Sequence, residues 1–89
     1  MTSTRLSRHA LARMGQRAGY QTLQSRADAV AISRSHLNKV ECGTLKPSAE
    51  LVDRMATVYH VHPDVISRAS RQAIRSLRQL QLDQADEVA

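Results

Sequence analysis

The sequence predicts an all-α fold of five helices with an extended C-terminal helix, and three observations predict it. Apolar residues recur at helical spacing along the chain, and no stretch shows the alternation of a strand. Residues that start and stop helices punctuate that pattern at Gly19, Thr22, Ser33, Gly43, Ser48 and Pro63. Phe and Trp are absent, so Leu, Val, Ile, Met and Ala must supply the packing, which suits short close-packed helices.

The first helix is expected from about Thr4 to Ala18, with Leu6, Ala10, Leu11, Met14 and Ala18 on its apolar face and Gly19 as its stop. Thr22 caps a second helix that buries Leu23, Ala27 and Val30. Ala31 is a small turn residue, Ile32 a hydrophobic staple and Ser33 the cap of a third helix, which buries Leu37 and Val40 and stops near Gly43. The stretch Thr44-Leu-Lys-Pro47 is a loop, because proline disfavours helix at the residue before it. Ser48 caps a fourth helix with Leu51, Val52, Met55, Ala56, Val58 and Tyr59 turned inward. His62-Pro63-Asp64 opens a fifth: a cap, a proline at the first position and an acid at the positive dipole end. It runs to about Leu82, leaving a short acidic tail to fray.

At 89 residues the chain is one domain with a modest core, and a partner subunit would add stability to so small a fold. Formal net charge is +5. That sign favours polyanions, nucleic acid first among them, although a merely soluble basic protein has the same balance. The lone Cys42 excludes an internal disulfide. No apolar run approaches a membrane span and no signal peptide is evident, so a cytoplasmic protein with no membrane partner is expected.

The third helix carries the functional expectation. It is too short to be stable alone. Its outward face holds Arg34, Ser35, Asn38 and Lys39, groups that hydrogen-bond base edges and phosphates. Catalysis needs a nucleophile, a base and an orienting group in mutual reach, and nothing nominates them. Cys42 has no evident base partner. His60 and His62 are too closely spaced to share a helix face and read as a loop histidine and a cap. No enzyme activity, metal or cofactor is expected.

The pieces Ile32-Ser-Arg-Ser-His-Leu-Asn-Lys-Val-Glu-Cys-Gly43, Lys46-Pro-Ser48 and Met55-Ala-Thr-Val-Tyr-His-Val61 leading to Pro63-Asp64 occur in an ordered series. In order and spacing they resemble the lambda-repressor-like (Cro/repressor, XRE-type) helix-turn-helix family. The resemblance covers Gly19 to Ile66, about half the chain. It implies a helix-turn-helix domain over residues 1–66, with residues 67–89 as a C-terminal extension and acidic tail. It also implies that the third helix enters the major groove by its first turn. Arg34 would then reach guanine O6 and N7 or grip phosphate, against the alternative of a solvated arginine. Lys39 is next on the same face, whereas helix rotation could turn Asn38 or His36 aside. Ser33 is first a cap, with a hydroxyl in reach of phosphate.

In such proteins the loop after the third helix grips the DNA backbone, which nominates Thr44 and Lys46. Thr22, Gln24 and Ser25 are similar candidates at the positive end of the second helix. The chain departs from the family where a leucine precedes the alanine of the second helix, because Arg26 stands there. Either the helix is rotated with Leu23 in that role, or the register shifts by a residue. Ala31 and His60 replace the family's turn glycines. Glu41 should pair with Arg13 or Arg17, or else stay exposed.

The implied function is a transcriptional regulator, a repressor of phage or plasmid type, that binds double-stranded DNA as a homodimer. Ile66, Ala73, Ile74, Leu77 and Leu80 are the expected dimer interface, against burial of the first half of the helix within its own chain. Arg68, Arg71, Arg75 and Arg78 form a basic stripe that solubilises, lines a DNA path or meets an acidic partner. Two rivals are an antitoxin that sequesters a toxin through the fifth helix, and a protein-interaction module that no longer reads DNA.

Overall fold

The computed structural model describes residues 9–88. They form five helices and no strand: α1 (Ala10–Arg17), α2 (Leu23–Ala29), α3 (Arg34–Cys42), α4 (Ala49–Tyr59) and α5 (Pro63–Val88). The expected helix start at Thr4, with Leu6, lies outside the described residues. α5 does not stop near Leu82 but continues to Val88, and the chain measures 43 × 28 × 23 Å. At 1.5 Å per residue this helix accounts for most of the long axis.

Helix starts follow the cap chemistry. Ser33 and Ser48 accept from the backbone N–H of His36 at 3.0 Å and Leu51 at 3.1 Å. The Asp64 N–H donates to His62 Nδ1 at 3.1 Å, so His62 is the α5 cap. Helix ends share one device. After each of the first four helices a residue at positive φ turns the chain: Gly19 at 108°, Ala31 at 61°, Gly43 at 87° and His60 at 59°. The next N–H then reaches back into the last turn, as in Tyr20 to the Gly15 carbonyl at 2.9 Å and Thr44 to the Lys39 carbonyl at 2.9 Å. Small size does not make Ala31 comfortable here. Its Cβ meets its own backbone in the left-handed region, a cost of about 1–2 kcal/mol that His60 also bears.

The core unites all five helices through Leu11, Ala27, Val30, Leu37, Val40, Leu51, Met55, Tyr59, Ile66 and Ala69. Each fully buried Leu, Ile or Met contributes about 1.5–3 kcal/mol relative to exposure. Ala73 is buried as well, and the Gly43 Cα lies so close to it that an added Cβ would strike the Ala73 carbonyl. α5 therefore crosses residue 66 without a break and remains part of the core through Ala73. Beyond that point it emerges, and Leu80 and Leu82 are exposed.

Candidate nucleic-acid interface

α3 is held by three kinds of contact. Leu37 and Val40 are fully buried, Ser33 and Gly43 terminate its ends, and Glu41 ties it to α2. The partner of Glu41 is neither Arg13 nor Arg17, and the carboxylate is not exposed. It is Arg26, whose Nε donates to Oε2 at 2.8 Å and whose Nη2 donates to Oε1 at 3.2 Å. The Arg26 Nη1 donates to the carbonyls of Tyr20 at 3.2 Å and Gln21 at 2.9 Å. One buried guanidinium thus fastens the α1–α2 connection, α2 and α3 together.

Arg26 itself points inward, so neither a rotated α2 nor a shifted register is needed, and Leu23 is only half-buried. Gly15 makes this possible. A Cβ there would overlap the Arg26 side chain, so α1 provides the space that the arginine stem fills. The sequence held a sign of this arrangement. Leu23, Arg26, Ala27 and Val30 lie at helical spacing, which puts Arg26 on the buried stripe. Arg54 is a second fastening that sequence reasoning missed: its Nη1 donates to the Val30 carbonyl at 3.0 Å, bracing the end of α2 from α4.

Tyr59 sits beside this cluster, its ring 6.5 Å from that of Tyr20 and tilted by 36°. Its hydroxyl is buried without a hydrogen-bond partner. Burial pushes the phenol up to about 12, the Glu41 charge adding to the rise and the Arg26 charge opposing it.

With α3 so fixed, Arg34, Ser35, Asn38 and Lys39 are all exposed. At 3.6 residues per turn they fall within one arc of about 140°. Asn38 Oδ1 accepts a long contact of 3.5 Å from Cys42 Sγ, which leaves its amide donors outward. Thr44 and Lys46 are exposed on the connection that follows. At the start of the second helix the polar side chains are engaged locally. Thr22 Oγ1 accepts from the Ser25 N–H at 3.0 Å, and Ser25 Oγ accepts from the Thr22 N–H at 3.1 Å, so both hydroxyls close a capping box. Gln24 Nε2 donates to Asp28 Oδ1 at 2.8 Å. Ser33 Oγ is likewise engaged as the α3 cap.

No protein family, curated protein or solved structure matches the chain. Among the described residues no three His, Cys, Asp or Glu side chains are grouped so as to hold a metal ion, and no helix is long and apolar enough to cross a membrane.

The expected dimer residues divide. Ile66 and Ala73 are 0% and 1% exposed within the single chain, so they cannot serve an interface between copies. Ile74 and Leu77 are half-buried and Leu80 is exposed, and these three are the members available to a partner.

Proposed function

We propose that this chain is a sequence-specific DNA-binding transcriptional regulator of helix-turn-helix type, with α2 and α3 as the motif and α3 as the recognition helix. The observation that carries the reading is the exposed arc of Arg34, Ser35, Asn38 and Lys39 on a short helix locked by the buried Arg26–Glu41 pair. A fixed helix holds the backbone positions of its donors in one geometry, so contact with base edges orders side chains without also ordering the helix. Lys46 and Thr44 add backbone contacts that supply affinity, while the arc supplies sequence choice. Self-association through Ile74, Leu77 and Leu80 would make the operator a pseudo-palindrome with half-sites about one helical turn, ~34 Å, apart. Bound across a promoter, such a dimer acts as a repressor.

The test is selection from random duplexes with the purified protein, read with its mass in solution. An enriched palindromic motif bound by a dimer supports the reading; no duplex affinity at low salt overturns it. A partner-binding arm is the second reading, favoured by the exposed Leu80 and Leu82 at the emergent end of α5. On that reading an antitoxin would co-purify with the product of a neighbouring gene.

A further inference from the structure

A concave site lies where the α3–α4 connection faces the middle of α5. It encloses about 310 Å³, at the lower end of the range of small-molecule sites. Four of its lining side chains are cationic: Lys46 from the connection and Arg71, Arg75 and Arg78 from successive turns of α5. None of the four forms an ion pair among the described residues. Ser67 and Ser70 line the same site. Ser70 is only 3% exposed, and its hydroxyl makes no hydrogen bond within the protein. That is unusual for a helix residue, whose hydroxyl can bond the carbonyl one turn back. Pro47, Val52 and Ile74 give the remaining wall an apolar character.

We propose that this groove binds a phosphomonoester with an apolar or aromatic organic part. Several exposed cations without an ion-pair partner among the described residues, gathered around one small volume, favour a ligand that concentrates more than one negative charge. A phosphate does so, with oxygens that match guanidinium forks and accept from serine hydroxyls. The apolar wall takes the organic part. A nucleic-acid backbone would bring the same phosphate chemistry, but a concave site with an apolar side suits a small molecule better than a duplex ridge. The groove shares Lys46 with the DNA-backbone contacts proposed above, but its test uses no DNA, so its failure and the failure of that reading are distinguishable.

The experiment titrates the full chain with phenyl phosphate and with inorganic phosphate, by calorimetry and by amide chemical shifts. Saturable binding of both is expected, tighter for phenyl phosphate, with the shifts centred on Ser67, Ser70 and Ile74. Arg71→Gln and Arg75→Gln should each weaken phenyl phosphate about tenfold, in line with loss of a charge-assisted hydrogen bond. Ser70→Ala should keep the fold and weaken binding severalfold. Arg17→Gln, an exposed arginine on α1 outside the groove, should change nothing. The proposal is overturned by non-saturating titrations, by equal affinity for the two ligands, or by an Arg17→Gln loss equal to that of Arg71→Gln. It is overturned too if a short duplex shifts these amides while phenyl phosphate does not, because the phosphate then comes from nucleic acid.

Discussion

α3 and the stretch of α5 that carries Arg71, Arg75 and Arg78 both present basic side chains, yet the protein treats them oppositely. α3 is short, terminated at both ends and bolted to α2 through a buried ion pair, so its backbone is held in one orientation. From residue 74 to residue 82, α5 is a continuation of a core helix with Arg75, Arg78, Leu80 and Leu82 exposed and no residue fully buried. Charge alone therefore does not distinguish the two surfaces. What distinguishes them is whether the chain has invested interior contacts in fixing the helix.

The largest effect should come from unbolting α3. Arg26→Ala leaves the Glu41 carboxylate buried and unpaired and should cost about 3–5 kcal/mol by denaturant unfolding. Replacing both partners with leucine should restore most of that loss, because the desolvation penalty goes with the charges. If the single change were mild, the pair would not be the anchor of α3.

Tyr59 sharpens the same side of the comparison. Its folded-state phenol titrates at about 12, above the ~10 of an unfolded chain. Between those values the folded state retains a proton that the unfolded state has released. This contribution to stability is therefore complete below about pH 10 and is lost as pH rises toward 12, with a slope of about 1 kcal/mol per pH unit at most. Tyr59→Phe should remove that slope. It should also gain about 1 kcal/mol at pH 8, since it deletes a buried hydroxyl without a partner. Urea unfolding of both proteins across the alkaline range checks both parts.

The smallest effect should be found on α5. Leu80→Ser should change the stability of dilute protein by less than about 0.5 kcal/mol, as expected for an exposed site, while weakening self-association in sedimentation. A clear loss in dilute protein would mean that the emergent end packs on its own chain, and the contrast with α3 would fail.

Much of this architecture was legible in the sequence, for identifiable reasons. Caps and stops are local: Ser33, Ser48, His62, Gly19 and Gly43 act on neighbours within one turn, so their roles can be read from position alone. The partner of Glu41 is not local. Several arginines compete for it, and the choice depends on the space that Gly15 leaves in a different helix. The fate of Ile66 and Ala73 was ambiguous for a related reason. Helical periodicity marks an apolar face but does not say whether the same chain or a second copy covers it. The outward arc of α3 could be read because its complement, Leu37 and Val40, was unmistakably a buried stripe. The groove at Ser70 could not, because it forms between a loop and a helix distant in sequence.

Whether α3 reads bases is decided most directly by one measurement. The ratio of specific to non-specific duplex affinity, taken for wild type and Arg34→Ala at matched salt, isolates sequence choice from charge. Wild type should prefer its selected site, and Arg34→Ala should lose about 1–3 kcal/mol of discrimination at one base pair while keeping most of its non-specific affinity. An unchanged ratio in Arg34→Ala, or a wild-type protein that binds every duplex alike, would contradict base reading by α3.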